Sequence, residues 1–467
     1  MKKNYFKKVS LLLFSAALAI PLSSCSITSN SSASIDSITL ANKNYQYESQ
    51  YSDQILQRTL SLKFKLTENQ TPGDNQIETT TVTGTGWIWS ASNNYYYVAT
   101  NMHVAGSVTF AGNKFAYYPE GSKTPTIKDY TNYQLSSQLG YSSNGTSINY
   151  VDVLNPTVVY SSINDTNFNS IVNPNNSYYQ YSNYQFKGIS DIVILRYDLN
   201  PADYDSTTSN STSLDAVTEN TNASASLNPL PSDFQTWLSN YNNNPTNVYN
   251  GSISLSGSTF YSGGFPVIKD QNGAQSNQWV PLSGFGCDIN VTSQFDKSWN
   301  SKDRPDNESD QPISFIDSNY ANQVLSNTSN NDNNLESANN AEDSTKPNND
   351  YSSNPGSTNF LNKAYNIYCY GNSSAGASGS LLSTVINNTF YVVGIYWGVT
   401  TFKVNNSDIN LGSYDLFVNP SYNLVNSINQ AISSDKPTSA SNTSAATPSV
   451  DANQQTQEPA TSSNKSE

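Results

Sequence analysis

The chain of 467 residues is short of several residue types that whole classes of protein require. It has one histidine, which excludes a His-rich metal centre, and neither a metal ion nor another cofactor is expected. Three cysteines are too few for a disulfide framework; Cys287 and Cys369 could pair or remain two buried thiols. Lys and Arg number 22 against 36 Asp and Glu, and the net charge of −14 argues against nucleic acid as a partner, because phosphates need a basic face.

Long apolar runs are also scarce, and residues 9–22 form the one at the N-terminus. This run follows a lysine-rich start and is too short for a stable transmembrane helix, a pattern typical of a signal peptide. Cys25 comes at the cleavage point and resembles the lipobox cysteine of bacterial lipoproteins, although Ser24 replaces the usual Gly or Ala. We therefore expect a lipid on Cys25 that holds the protein to the extracellular face of the cell membrane. An ordinary secretory signal followed by a chance cysteine is the alternative.

Composition divides the rest of the chain into polar segments and one candidate folded domain. Hydrophobic residues make up 36%, which is low for a single globular block. After the signal peptide of residues 1–24, residues 25–49 are rich in Ser, Asn and Thr and predict a tether. Residues 301–357 lack aliphatic periodicity and predict a disordered insertion or a very long surface loop, and residues 433–467 predict a disordered tail. The folded domain is thus expected within residues 50–432.

Short strand-like runs dominate this domain, each rich in Val, Ile, Thr, Tyr or Trp and bounded by Gly, Asn or Ser. They include TTTVTGTGWIWS, NNYYYVATNM, DIVILRYDL, YNIYCYG and TFYVVGIYWGV. Helical spacing is found in residues 51–62, where Ser52 or Asp53 would cap the helix, and in residues 421–433. Many short strands with glycine-marked turns and one closing helix predict an all-β barrel or sandwich.

His103 is the only histidine, and it follows the strand-like run YYVAT. Asn101 and Met102 are predicted to form a turn that places His103 at the end of this strand. A lone histidine is commonly a core residue bonded to backbone groups. If it acts as a general base, it needs a nucleophile and an orienting carboxylate from elsewhere in the chain.

Ser378 is the candidate nucleophile. It lies in the run GASGS, between Gly376 and Gly379. Small neighbours let the backbone turn tightly, so that the N–H groups of Gly376 and Ser378 could face a developing oxyanion. The motif alone is weak, because Ser/Gly-rich turns are common in this chain, but the apolar hairpin LLSTVINNTFYVVGIYWG that follows would hold the loop against a sheet.

Asp191 is the candidate carboxylate, since an aspartate at the head of the apolar run DIVILRY can be buried beside an imidazole. Asp198, at the other end of the same run, has similar local chemistry and is the alternative. Either aspartate could instead be an ordinary turn residue.

In the order His103, Asp191, Ser378, these segments resemble the trypsin-like serine proteases. TNMHV resembles T-x-x-H-V, SDIVIL resembles D-[IL]-A-[LV]-[LI], and GASGS resembles G-[DN]-S-G-[GS]. TGWI and VGIYWG are similar to the strands that precede the histidine and follow the serine. The lipoprotein signal, the bias towards Asn, Ser and Tyr and the G-x-S-G-S nucleophile loop narrow the resemblance to the mycoplasma lipoprotein peptidases, which include the mycoplasma immunoglobulin proteases. RTLSL resembles the opening segment of that family, and GGFP resembles its G-[FY]-P element.

This resemblance covers residues 50–432 and implies a mainly β, trypsin-like double β-barrel with a C-terminal helix and long polar insertions. It implies that Ser378 attacks the peptide carbonyl, that His103 moves the proton, that Asp191 holds the histidine tautomer, and that the N–H groups of Gly376 and Ser378 form the oxyanion hole. Ala377 departs from the trypsin pattern, where an aspartate pairs with a freed N-terminus, so that activation switch is excluded. Asn372 lies near the usual position of the trypsin pocket carboxylate, so the resemblance gives no acid that would select Lys or Arg.

The expected function is that of a surface serine endopeptidase acting on extracellular protein. The resemblance allows host immunoglobulin as the substrate and a separate binding partner that presents it. The alternative is a non-catalytic surface lipoprotein, either an adhesin or a degenerate protease that binds without cleaving.

Overall fold

The computed structural model describes the folded part of the chain in segments: residues 49–69, 78–117, 126–172, 179–181, 184–204, 228–252, 255, 258, 260–269, 275–284, 360–362, 366–369, 376–404 and 407–435. The predicted signal peptide and the predicted insertion lie outside the described residues, as do the tether up to residue 48 and the tail beyond residue 435. Cys25, Cys287 and Asn372 also lie outside them.

Strands make up most of the described chain. In chain order they are β1 Thr59–Glu68, β2 Thr79–Ser92, β3 Tyr95–Thr100, β4 Lys114–Tyr117, β5 Thr126–Asp129, β6 Tyr133–Tyr141, β7 Asn149–Val153, β8 Thr157–Ser161, β9 Tyr179–Tyr181, β10 Tyr184–Ile189, β11 Val193–Asp198, β12 Phe260–Gly264, β13 Val267–Lys269, β14 Gln275–Asn277, β15 Val280–Gly284, β16 Phe360–Asn362, β17 Asn366–Cys369, β18 Leu381–Ile386, β19 Thr389–Val404 and β20 Ser407–Leu416. The helices are α1 Ser49–Leu56, α2 Met102–Phe110, α3 Thr166–Val172, α4 Ser232–Asn243 and α5 Leu424–Ser434.

Two large antiparallel sheets contain thirteen of these twenty strands. The first has seven strands in the order β7-β6-β1-β2-β3-β11-β8, and the second has six in the order β15-β12-β18-β19-β20-β17. The first sheet is built before residue 200 and the second after residue 259, and α5 follows the second. The predicted mainly β fold class, with its two β units and closing helix, is confirmed. No helix among the described residues has the length and apolar character that a bilayer crossing requires.

Each large sheet contains a hairpin closed by an Asn-Asn pair. Asn93 and Asn94, between β2 and β3, have φ of 50° and 68°, and Asn387 and Asn388, between β18 and β19, have φ of 50° and 62°. Positive φ at both central residues is the condition for a type I′ turn, whose twist matches that of the paired strands, and asparagine tolerates it better than most residues. The second hairpin is the one predicted from the sequence after Ser378.

The two sheets share an apolar core. Trp87 and Ile194 of the first sheet lie in one buried cluster with Leu381 and Ile395 of the second, and Ile428 of α5 belongs to the same cluster. Fully burying a side chain of this size contributes about 1.5–3 kcal/mol. The shared core therefore fixes the two sheets relative to each other along the seam where the candidate site lies.

One helix prediction needs correction and another is confirmed. The helix predicted for residues 51–62 runs from Ser49 to Leu56, so Ser52 and Asp53 lie inside it and do not cap it. Residues 59–62 belong instead to β1, which pairs with β2 and β6 on its two sides, and this pairing overrides the local helical spacing. The predicted C-terminal helix is confirmed as α5, whose N-cap Asn423 accepts a hydrogen bond from the backbone N–H of Asn426.

Candidate active site

His103 is the second residue of α2, and the predicted turn at Asn101 and Met102 is wrong. Asn101 takes the extended N-cap conformation and Met102 begins the helix. The first N–H groups of a helix have no partner within it. Here the carboxylate of Asp191 supplies one: its Oδ1 accepts from the backbone N of Met102 at 2.7 Å and of His103 at 3.3 Å. An acceptor distant in the chain thus stabilises a helix start that local sequence does not reveal.

The same carboxylate binds the imidazole. Asp191 Oδ2 lies 2.5 Å from His103 Nδ1, and the aspartate side chain is 1% exposed whereas the histidine side chain is 36% exposed. Asp198 lies at the far end of β11, opposite Tyr95, and accepts a hydrogen bond from the backbone N of Asn200. Of the two predicted carboxylates, Asp191 is the one that the structure brings to His103.

A second buried carboxylate, which the sequence reasoning missed, supports Asp191 from the second sheet. Oδ2 of Asp415 accepts from the backbone N of Asp191 at 3.0 Å and from the hydroxyl of Ser190 at 2.9 Å. The side-chain amide of Asn101 donates to the backbone carbonyl of Asp191 at 2.6 Å. The available signal was an aspartate inside the otherwise strand-forming run SYDLF, because buried charges in strands are rare unless they have partners.

The run that carries Ser378 makes a tight turn before β18. Gly376 and Gly379 have φ of +89° and +93°, in the left-handed region that favours glycine. A side chain at Gly379 would also overlap the carbonyl oxygen of Thr85. The carbonyl of Ala377 accepts from both the N–H and the hydroxyl of Ser380, at 2.9 and 2.6 Å. These contacts give the closely turned backbone that the glycine spacing predicted.

This turn is held against both sheets. On the side of the second sheet, Gly379 N donates to the carbonyl of Tyr396 at 2.9 Å, and Tyr396 N donates to the carbonyl of Ser380 at 2.7 Å. On the side of the first sheet, Thr85 N donates to the carbonyl of Ser378 at 2.7 Å. The carbonyl of Thr85 accepts from the hydroxyl of Thr100, three residues before His103, at 2.7 Å. Ser378 is therefore linked through Thr85 to the strand end that precedes the histidine.

The reacting groups predicted at Ser378 make no hydrogen bonds within the described part of the chain. Ser378 is half-buried, and neither its hydroxyl nor its N–H, nor the N–H of Gly376, has a partner among the described residues. In particular, no hydrogen bond joins the hydroxyl to His103. Catalytic hydrogen bonds are often long before substrate closes a site. The lack of a bond between Ser378 and His103 in the free chain is therefore compatible with catalysis by this pair.

Ala377 is fully buried and belongs to an apolar cluster with Leu382 and Val393. The position at which the trypsin pattern has an aspartate is here part of the core. In the described ranges, no three side chains of His, Cys, Asp or Glu gather closely enough to hold a metal ion.

The electrostatics of the pair set the protonation of His103. Burial lowers the pKa of His103, but the charge of Asp191 and the hydrogen bond to it raise that pKa, and the balance lies above the ordinary value of 6.5. A base of this kind must be neutral to accept a proton. Activity that depends on it is therefore expected to rise with pH through a pKa above 6.5 and to be lost below it.

Because His103 is the only histidine, its titration can be followed without assignment. We expect the NMR chemical shift of the imidazole Cε1–H to give a pKa above 6.5 in the wild type. Asp191→Asn removes the attracting charge and leaves burial to act, so the pKa should move down. A wild-type pKa at or below 6.5, or a pKa that Asp191→Asn leaves in place, would contradict the coupling.

Comparison with known proteins identifies a family and distant structural neighbours. No curated protein matches the chain. Among solved structures, the crystal structure of the scabies mite inactivated protease paralogue S-D1 is 8% identical, over 79% of this chain and 91% of that chain, with a TM-score of 0.29. At this TM-score the likeness supports no conclusion about the chain. The sequence profile described as "Mycoplasma immunoglobulin protease" matches residues 49–398, so the resemblance inferred from the motifs is confirmed and the chain belongs to the mycoplasma immunoglobulin protease family.

Proposed function

We propose that the chain is a serine endopeptidase that uses Ser378, His103 and Asp191. The observation that supports it most is the 2.5 Å contact between the only histidine and a buried carboxylate. Because Nδ1 binds the carboxylate, Nε2 of the partly exposed imidazole is available to accept a proton on the substrate side. Membership of a protease family adds independent support.

In the proposed mechanism, Nε2 of His103 takes the proton of the Ser378 hydroxyl as its oxygen attacks the peptide carbonyl. The N–H groups of Gly376 and Ser378 stabilise the oxyanion that forms. The imidazolium, held by Asp191, then gives its proton to the departing amine, which leaves an acyl-enzyme on Ser378. Water, activated by the same histidine, releases the second product and restores the serine.

Asp191 acts in this scheme by orientation and charge. With three hydrogen bonds on its carboxylate, from the backbone N–H groups of Met102 and His103 and from the ring, it can adopt few other positions. A fixed carboxylate keeps the proton on Nδ1 and leaves Nε2 as the base. Asp415 contributes by holding the main chain of Asp191 in place.

The substrate part of the proposal is extracellular protein, and it rests on the sequence and on the family. Immunoglobulin is proposed because the family is described as an immunoglobulin protease. A lipid on Cys25 would hold the enzyme on the outer face of the cell membrane, where such proteins are met, and a separate partner could present the substrate.

The full chain should be incubated with immunoglobulin G, serum albumin and unfolded casein, and the fragments identified by mass spectrometry. Casein needs no presenting partner, so it tests peptidase chemistry separately from substrate choice. Cleavage that a sulfonyl fluoride blocks, and that Ser378→Ala lacks, is the expected result. Cleavage of casein alone would reject immunoglobulin as a direct substrate and would still support peptidase activity. Binding of immunoglobulin without cleavage of any protein would instead favour a non-catalytic surface protein.

A further inference from the structure

Thr85 occupies a position between the two sheets that the mechanism above does not use. It lies on β2 with no exposed surface. Its hydroxyl donates to the carbonyl of Gly376 at 2.8 Å and accepts from the backbone N of Phe265, just after β12, at 2.9 Å. Its own N–H donates to the carbonyl of Ser378 at 2.7 Å. One residue of the first sheet thus binds two carbonyls of the nucleophile loop.

These two carbonyls lie on either side of the peptide group that carries the N–H of Ser378. The carbonyl of Gly376 belongs to the peptide before that group, and the carbonyl of Ser378 belongs to the peptide after it. The middle peptide is held in turn, because the carbonyl of Ala377 accepts from Ser380. Three successive peptide planes are therefore fixed, and Thr85 fixes the outer two.

We infer that Thr85 is a positioning residue, whose hydroxyl sets the direction of the oxyanion-stabilising N–H of Ser378 and the placement of the Ser378 hydroxyl. This inference rests on the proposed function. The hydroxyl is essential to it because valine has the same shape but can neither donate to Gly376 nor accept from Phe265. Without those bonds the loop keeps the N–H contact of Thr85 but loses its attachment at Gly376, where φ is +89°.

The readout is the rate at which a fluorophosphonate probe labels the full chain. It is measured under conditions in which circular dichroism shows that every variant is folded. Phosphonylation needs both the serine and the oxyanion donors. Thr85→Val is expected to slow labelling by about 100-fold, the cost of a displaced catalytic group. Thr85→Ser keeps the hydroxyl and should restore most of the rate. The NMR pKa of His103 should stay in place in both variants, because the hydrogen bonds of Thr85 go to neither His103 nor Asp191.

Thr59→Val is the matched control. The hydroxyl of Thr59 is as deeply buried and donates to the carbonyl of Ile55 at 2.6 Å, away from the loop. Thr59→Val should therefore lose stability while its folded form is labelled at the wild-type rate. Equal labelling of folded Thr85→Val and wild type would overturn the inference, as would an equal loss in Thr59→Val. If Thr85→Val does not fold, Thr85→Ala gives the same comparison with less bulk. Absence of labelling in the wild type would instead overturn the proposed function.

Discussion

Replacing Ser378 by alanine is expected to lower kcat by about 10⁶-fold, with the residual rate supplied by substrate binding and the oxyanion hole. His103→Ala should lose a similar factor, since no second imidazole exists in the chain to take the proton. Because the two groups act in one step, the double variant should be no slower than either single variant. The measurement is cleavage of a peptide found in the digestion experiment.

Both variants should remain folded, which separates lost chemistry from lost structure. Ser378 makes no side-chain hydrogen bond to another described residue, so its removal should leave the unfolding temperature almost unchanged. Multiplication of the two losses in the double variant would mean that Ser378 and His103 act independently, contrary to the mechanism. Retained cleavage in either single variant would point to a different nucleophile or base.

Asp191→Asn is expected to lower kcat by about 10⁴-fold, because an amide no longer holds the proton on Nδ1 of His103. The amide oxygen can still accept from the first N–H groups of α2, so the helix start should survive. Asp198→Asn is the matched control on the same strand. Its carboxylate caps a local turn at Asn200 and does not contact His103, so kcat should stay near that of the wild type. A large loss in Asp198→Asn, or none in Asp191→Asn, would contradict the assignment.

The parts of the fold that the sequence predicts well are those with a strong local cause. Runs rich in β-branched and aromatic residues predict the strands, and the apolar run after Ser378 predicts the second hairpin. Gly376 and Gly379 predict a tight turn because few other residues adopt φ near +90°. These features need no knowledge of the rest of the chain.

The features that the sequence did not reveal depend on contacts between distant segments. The start of α2 is stabilised by Asp191, 88 residues away from His103. The support from Asp415 crosses from the second sheet, 224 residues from Asp191. The residues of β1 beside α1 could be read as helix until their pairing with β2 and β6 is known. Local spacing carries none of this information, because the partners meet only after both sheets have formed.

The most direct test of serine peptidase chemistry is to treat the full chain with a fluorophosphonate and locate the adduct by peptide mass spectrometry. The account predicts one adduct on Ser378, formed faster as pH rises through the pKa of His103 and absent from His103→Ala. An unmodified Ser378 under conditions that label trypsin, or an adduct on another serine, would contradict it.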